Sequence, residues 1–267
     1  GGDRGGGGGG GGAEVGAPPE GLCAVYKPEG WSSNDVVSRI RNVLSKGWRV
    51  KTGERRRIKV GHGGTLDPLA SGVLVIGVGR GTKMLQEYLS GSKAYEARAR
   101  LGAETDTGDS TGTVTVERDC SGVGLDELRA QLPSFTGEIL QVPPMYSALR
   151  KDGKRLYELA RAGETVHRDP RPVAVYAIAV PALTPAVEGA PGDAEFSLEV
   201  ECGGGTYVRV LIEDIARAAG GAAHMTALVR TKQAQFTLDR ALPMEAWDFD
   251  GVRRHLEESR GLWEGAG

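Results

Sequence analysis

The chain has 267 residues, of which 39% are hydrophobic and 25% charged, a composition typical of one large globular domain or two small ones. Its net charge of −2 indicates no general affinity for nucleic acid, and no apolar run approaches the roughly 20 residues that a membrane-spanning helix needs. The three cysteines form no CxxC pair, and the four histidines form no HExxH motif. We therefore expect reduced thiols in an intracellular protein, with no metal site and no membrane association.

Residues 1–20 are predicted to be a disordered segment. Eleven glycines fall within the first 16 residues, and such a tract has almost no side chain to bury. The tract lacks the apolar centre of a signal peptide, and a single Arg is atypical of a transit peptide. We expect ordered structure to begin near Leu22.

The elements that follow mix strands and helices without strict βαβ alternation. Ser32 and Asp35 have capping-box spacing, which predicts a helix to about Ser45, and the apolar run 71–79 indicates a strand buried on both faces. The other predicted elements are strands at 22–26, 93–102, 171–180, 194–202 and 225–238, helices at 82–90 and 125–135, a strand, Asp-Gly turn and helix within 146–163, and a glycine hinge with a helix within 203–221. This order favours an α+β fold with a mixed, largely antiparallel sheet and flanking helices.

Positive charge is concentrated in residues 39–60, which contain nine Lys or Arg against one Glu. Composition leaves three interpretations open: a solvated loop, a nuclear-import signal, or an arm that contacts nucleic-acid phosphates. On the third interpretation, the contacts come from Arg55, Arg56, Arg57 and Lys59, beside the glycine-rich loop that follows.

That loop begins the segment "GHGGTLDPLASGVLVIGVG", residues 61–79, whose single acid is Asp67. A lone Asp in a Leu-Asp-Pro sequence is, by itself, more typical of a loop cap than of a catalytic group. The nearby "GVGRGT" fails as a dinucleotide motif because Thr82 occupies the third glycine position. The Asp-Thr-Gly at Asp106 is a weak sign of an aspartic-type hydrolase, which requires a second carboxylate and apolar flanking strands.

Residues 61–79 closely resemble the signature of the TruB-type pseudouridine synthases. Further segments resemble the family's other motifs in the same order: "VYKPEGWSSND", "KAYEARARLGAETDTGDSTG", "QVPPMYSALRKDGKRLYELARAG", "VECGGGTYVRVLIEDI" and "TALVRTKQAQFTL". The "GHGG", "ECGGG" and "RTKQ" variants resemble the eukaryotic branch. The resemblance implies the pseudouridine synthase fold with a central RNA-binding cleft. It places a catalytic domain at 21–240. The remaining residues, 241–267, are expected to form a helical extension and are too few for the PUA module of the bacterial and archaeal-type relatives, so we expect no PUA domain.

The resemblance implies an enzyme that isomerises uridine 55 in the T-arm of tRNA without a cofactor. Asp67 is then the catalytic aspartate. Its carboxylate acts as a nucleophile on the sugar or the base, or as a base that removes a sugar proton. Arg209 pairs with it, Tyr95 is the stacking platform for the flipped uridine, and Tyr207 lies against the base or sugar. From the residues alone, Arg209 forms an i,i+4 surface pair with Glu213, and the tyrosines are packing residues.

The resemblance also implies contacts with RNA or support of the loop from a further set of residues. His62 fills the space that the flipped nucleotide leaves, Leu228 forms part of the pocket wall, and Lys27 supports the Asp67 loop. Glycines let the loop backbone approach RNA closely. The full predicted RNA-binding set is His62, Lys27, Gly63, Thr65, Asp109, Leu228, Arg55, Arg56, Arg57 and Lys59.

The expected partner is tRNA, bound by a monomer, and mRNA hairpins that mimic the T-loop stay open as further substrates. The compartment stays open among nucleus, cytoplasm and mitochondrion. The alternative function is a non-catalytic protein that binds or folds tRNA on the same fold. The presence of Asp67, Arg209, Tyr95 and Tyr207 together favours the active enzyme.

Overall fold

The computed structural model describes residues 16–184 and 194–263. Most of the predicted disordered segment, most of the predicted linker at 181–193 and the last four residues lie outside this described part.

The described strands are β1 (Gly21–Lys27), β2 (Val60–His62), β3 (Ala70–Val78), β4 (Lys93–Leu101), β5 (Ala103–Thr105), β6 (Val114–Glu117), β7 (Gly137–Gln141), β8 (Arg150–Lys151), β9 (Lys154–Arg155), β10 (Arg171–Ala179), β11 (Leu183–Thr184), β12 (Glu195–Cys202), β13 (Ala223–Gln233) and β14 (Phe236–Thr237). The helices are α1 (Ser33–Thr52), α2 (Leu85–Ser90), α3 (Leu125–Gln131), α4 (Leu156–Arg161), α5 (Val208–Ala218), α6 (Phe249–Glu258) and α7 (Arg260–Trp263). Single 3₁₀ turns at Gly79–Lys83 and Leu132–Phe135 adjoin α2 and α3, where one continuous helix was predicted in each case. None of the helices in the described ranges combines the length and apolar composition needed to span a membrane.

One large sheet organises the fold, with the strand order β1-β3-β13-β4-β12-β10-β7. Its described neighbours pair antiparallel except β3 and β13, which run parallel over three residue pairs. The predicted α+β class with a largely antiparallel sheet is confirmed. Because β13 lies between β3 and β4, it joins the segment after Asp67 to the strand that carries Tyr95.

The strand β3 is buried along its whole length, as its apolar run predicts. Leu74, Ile76 and other alternate residues pack with α1 and α6, whereas Val73 and Val75 pack with Tyr88, Phe236 and the α7 side. Successive side chains of a strand point to opposite faces, so one apolar run serves two core clusters. A third cluster lies between α5 and the β4–β12 part of the sheet, and includes the apolar stripe of α5, Val208, Leu211, Ile212 and Ile215.

The first helix extends to Thr52, beyond its predicted end near Ser45. Ile40, Leu44 and Trp48 continue its buried stripe at helical spacing, and Gly53 ends it in the left-handed conformation with φ 74°. Part of the basic stretch is therefore helical, and the loop after α1 is shorter than predicted.

Gly47 provides a test of how α1 packs against α6. A Cβ at this position would overlap the ring of Phe249, so we expect Gly47→Ala to lower the free energy of unfolding by about 1 kcal/mol. The expected loss of stability is opposite to the effect of helix propensity, which favours Ala over Gly by about 1 kcal/mol. Urea denaturation measures the change. In a Phe249→Ala background the same substitution should stabilise, and a stabilising effect in both backgrounds would contradict the packing described here.

Candidate active site

A cavity of about 810 Å³ opens where four segments meet: the start of α1, the loop between β2 and β3, the turn at 106–113 and the segment at 146–148. Asp67 lies in this wall with 37% of its side chain exposed, and Arg209 closes the wall from α5. Three further arginines contribute positive charge to the rim, namely Arg150, Arg155 and Arg161.

The loop that carries Asp67 is fixed from several sides. The Leu66 amide donates to the Ser33 hydroxyl at 2.9 Å, and that hydroxyl donates to the Leu66 carbonyl at 3.2 Å. The Ala70 amide donates to the Asp67 carbonyl at 3.0 Å, and the Gly30 amide donates to the Pro68 carbonyl at 2.8 Å. The carboxylate therefore projects from an ordered turn.

Arg209 forms the predicted ion pair with Asp67. Its Nη2 lies 2.8 Å from Asp67 Oδ2, while Nη1 donates to the Thr107 carbonyl at 2.5 Å and Nη2 to the Tyr146 carbonyl at 2.9 Å. Only 5% of the Arg209 side chain is exposed. The alternative, an i,i+4 surface ion pair between Arg209 and Glu213, is wrong. Glu213 instead forms its i,i+4 ion pair with Arg217, at 3.4 Å.

Tyr95 and Leu228 belong to the same core cluster as Leu66 and the buried side chains of α5, and Tyr207 is half-buried at the N-cap of α5. Tyr95 and Leu228 are each 8% exposed, so both are packing residues in this conformation. Burial raises the pKa values of Tyr95 and Tyr207, and the Asp67 charge adds to both shifts. Their predicted contacts with a uridine stay predictions.

The backbone of Tyr207 is held by a side chain that the sequence did not single out. The Tyr207 amide donates to Gln141 Oε1 at 2.8 Å, and Gln141 Nε2 donates to the Tyr207 carbonyl at 3.1 Å. Gln141 is 2% exposed at the end of β7. It anchors the N-terminus of α5, two residues before Arg209.

Lys27 is completely buried, which corrects its place among RNA-contacting residues. Its Nζ donates to the carbonyls of Pro28 at 2.9 Å and Pro68 at 3.4 Å, as expected of a residue that supports the Asp67 loop. Desolvation lowers the pKa of Lys27 to about 8, and the nearby Asp67 charge opposes that shift.

The loop glycines also meet internal constraints, which are independent of the predicted approach of RNA. A Cβ on Gly63 would lie 2.6 Å from the Tyr88 Cβ, and one on Gly64 would lie 3.2 Å from Gln233 Nε2. Gly63 and Gly64 are both buried. Close packing against α2 and β13 therefore suffices to require glycine at these two positions.

Three predicted residues line the cavity directly: His62, Thr65 and Asp109. Thr65 is exposed, and burial lowers the pKa of the half-buried His62. The Asp109 carboxylate accepts hydrogen bonds from Thr107 Oγ1 at 2.9 Å, Thr111 N at 3.0 Å and Thr111 Oγ1 at 2.5 Å. The Asp109 carboxylate therefore closes its own turn.

Arg55, Arg56 and Arg57 line a separate groove beside α1 and take no part in the cavity wall. This corrects their predicted position beside the Asp67 loop. Lys59 is exposed, and its carbonyl accepts from the Gly79 amide at 2.8 Å. Within the described ranges, no three His, Cys, Asp or Glu residues converge as a metal-binding group.

Two buried polar residues of β13 support the loop, and sequence reasoning missed both. Arg230 is 1% exposed and donates to the carbonyls of Val73 at 2.7 Å and Gly64 at 3.2 Å. Gln233 is fully buried and donates to the Gly63 carbonyl at 2.7 Å. Strict strand alternation places these residues on opposite faces, but an irregularity in pairing between Arg230 and Lys232 brings both to the loop.

Comparison with known proteins assigns the family. Residues 50–208 match the model for the TruB family pseudouridylate synthase N-terminal domain. The chain belongs to the TruB family of pseudouridylate synthases. "Pseudouridylate synthase TRUB1" of Homo sapiens is 44% identical over 252 residues, covering 91% of this chain and 69% of that protein. "tRNA pseudouridine synthase B" of Cupriavidus pinatubonensis is 46% identical over 230 residues, covering 85% and 67%.

A solved structure supports the same fold. A chain in the crystal structure of a Cbf5-Nop10-Gar1 complex has a TM-score of 0.57 and 27% identity, over 92% of this chain and 57% of that chain. Membership in the TruB family makes the chain an isomerase that forms pseudouridine, and the predicted resemblance is confirmed. Individual catalytic roles within the cavity stay predictions.

We expect Arg230 to hold the loop that carries Asp67 in position. Arg230→Lys loses the forked contact with two backbone carbonyls and leaves a buried acceptor unpaired, so the free energy of unfolding should fall by about 1–3 kcal/mol. We also expect a lower kcat for pseudouridine formation at a temperature where the variant is folded. Lys232→Gln, two residues along β13 and partly exposed, is the matched control. A normal kcat for folded Arg230→Lys would exclude this positioning role.

His62 is expected to be neutral at pH 7. Desolvation and the nearby Arg230 charge disfavour the imidazolium, so its pKa should lie below 6.5, and the ring should gain a proton only on acidification. An NMR titration of the histidine ring signals, assigned with a His62→Asn variant, measures the midpoint. A midpoint at or above 6.5 would contradict the burial described for this side chain.

Proposed function

We propose that the chain converts uridine 55 in the T-loop of tRNA to pseudouridine, with Asp67 as the group that acts on the flipped nucleotide. The observation that carries this proposal is the contact of the half-exposed Asp67 carboxylate with the buried Arg209 guanidinium at a cavity wall. Similarity to a "tRNA pseudouridine synthase B" that is 46% identical to the chain supports tRNA as the substrate.

The isomerisation needs few groups from the protein because the uracil is both the leaving group and the group that is reattached. The bond from the sugar C1′ to N1 breaks, the base rotates, a bond from C1′ to C5 forms, and the C5 proton is lost while N1 takes up a proton. Asp67 either adds to the sugar or base and is later released, or removes and returns a sugar proton. Each route regenerates the same carboxylate.

Arg209 orients this carboxylate through contacts that already satisfy its guanidinium. With donors committed to Thr107 and Tyr146, the pair holds Asp67 toward the cavity before substrate binds. Preorganisation of this kind avoids reorientation of charge during the reaction.

The uridine enters the cavity by flipping out of its loop, at a cost of a few kcal/mol. Stacking on an aromatic ring returns about 1–3 kcal/mol per base, and we assign this role to Tyr95, with Leu228 as a neighbouring wall. Because Tyr95 is only 8% exposed and shares a core cluster with Leu66, neighbouring side chains must move before a base can stack on its ring. Tyr207 then lies near the base or sugar, where it aids loss of the C5 proton.

The cationic rim and the exposed loop favour an RNA substrate over a free nucleoside. His62 and Thr65 project from the loop into the cavity, next to arginines that suit phosphate contacts. We propose that His62 fills the gap left by the flipped nucleotide. An mRNA hairpin with the shape of a T-loop presents the same features, so we include it as a substrate. We further propose action as a monomer, in the nucleus, cytoplasm or mitochondrion.

Tritium release tests the function. A T-arm stem-loop labelled at uridine C5 should release tritium to water with the wild-type chain, and Asp67→Asn should reduce the rate by about 10²–10⁴-fold. Asp106→Asn is the matched control, because Asp106 is a carboxylate of the same cavity whose Oδ1 accepts from Thr113 N at 2.8 Å. It should keep most of the activity. Tight RNA binding without tritium release by wild type would instead favour the non-catalytic tRNA-binding alternative.

A further inference from the structure

We propose that the groove between the C-terminal half of α1 and residues 53–57 is a second RNA-backbone site, separate from the catalytic cavity. The proposal rests on the proposed function in that it takes the substrate to be a structured RNA. The groove has a volume of about 730 Å³. Its lining residues are Arg41, Asn42, Ser45, Lys46, Arg49, Val50, Arg55, Arg56 and Arg57.

Six of these nine side chains are cationic and none is acidic. The whole chain carries a net charge of −2, so this accumulation is local. Like charges held together in one groove repel each other, and a polyanion relieves that repulsion. Successive phosphates of an RNA strand match a row of cations, and contacts of this kind read position rather than base sequence.

The groove is a built feature because its loop is fixed at both ends. Gly53 caps α1 and donates to the Arg49 carbonyl at 2.9 Å, and Trp48 Nε1 donates to Glu54 at 3.1 Å. At the other end, the Ile58 amide donates to the Ser45 hydroxyl at 3.1 Å, and the Ile58 side chain is 3% exposed. The three consecutive arginines lie between these anchors and stand against the cationic face of α1.

Most of the groove's positive charge has no counter-ion within the protein. The side chains of Lys46, Arg49, Arg55 and Arg57 form no ion pair with another residue in the described ranges. By contrast, Lys51 just outside the groove pairs with Asp250 at 2.5 Å, and Arg56 lies 4.0 Å from Glu54. A solvated surface helix usually intersperses both signs, so unpaired cations on one side of α1 indicate an external anionic partner.

The helix α1 sets the distance from the groove to the cavity. Its first residues line the cavity, and Ser45 lies at the centre of the groove. Ser33 and Ser45 are 12 residues apart in one helix, which is about 18 Å along the axis. An RNA that occupies both sites must therefore span about 18 Å in the direction of α1. A full tRNA has backbone at that distance in addition to its T-loop.

The test compares a groove variant with a control that removes equal charge elsewhere. Arg55→Gln/Arg57→Gln removes two groove cations, and Arg240→Gln/Arg254→Gln removes two exposed arginines outside it. Affinity is measured from 50 to 200 mM salt, with a full tRNA transcript and with a T-arm stem-loop too short to reach the groove. Circular dichroism and urea denaturation check that both variants are folded.

For full tRNA, the groove variant should lower the slope of log K against log salt by about 1–2 and weaken binding roughly tenfold at 0.1 M salt. Binding of the short stem-loop should match wild type. The control pair should leave the salt slope with tRNA unchanged. An unchanged slope in the groove variant, an equal loss in the control pair, or an equal loss with the short stem-loop would overturn the proposal.

The result is separable from the function proposed above. A wild-type chain that releases no tritium, yet shows the groove-dependent salt slope with tRNA, would remove the catalytic assignment and keep this site. A chain that releases tritium normally, with a slope that does not depend on Arg55 and Arg57, would do the reverse. That second outcome favours the nuclear-import or solvated-loop interpretation of the basic stretch.

Discussion

The ion pair between Asp67 and Arg209 joins segments that are far apart in the chain, and the cavity depends on it. The guanidinium is buried, so removing Asp67 leaves a buried charge without an ionic partner, which is destabilising. The same guanidinium binds the carbonyls of Thr107 and Tyr146. One side chain therefore fixes the relative positions of the Asp67 loop, the 106–113 turn, the 146–148 segment and α5.

The opposite side of the loop is fixed by groups that take no part in that pair. Arg230 and Gln233 bind the carbonyls of Gly64 and Gly63 from β13, and Lys27 binds the carbonyl of Pro68 from β1. Backbone carbonyls in a buried loop need donors, since an unpaired one costs about 1–3 kcal/mol. Two buried cations and an amide meet this need, and the result is a loop held on both sides. A lone carboxylate can act in such a site because its position is set in advance.

Local patterns in the sequence predicted the elements whose burial follows a simple period. The apolar run of β3 and the stripe of α5 have the burial that their spacing indicates. The α1 end was missed because Lys46 and Gly47 interrupt the stripe, whereas Trp48 continues it in the fold. The roles of Arg230 and Gln233 depend on an irregular pairing of β13 with β4, which is a tertiary feature. The burial of Lys27 could not be predicted from the local sequence either, because its contact with the Pro68 carbonyl is also a tertiary feature.

Charge distribution, not net charge, connects the fold to an RNA substrate. The Asp67 carboxylate would repel phosphates if it stood alone, but Arg209 neutralises it locally and the rim arginines Arg150, Arg155 and Arg161 add positive charge to the same cavity. Near a surface, such charges interact over distances set by the Debye length, about 8–10 Å at physiological salt. The groove beside α1 lies about 18 Å along that helix and acts almost independently of the cavity at this ionic strength. Two cationic regions at that separation favour a long polyanion over a small one, because only a long polyanion contacts both at once.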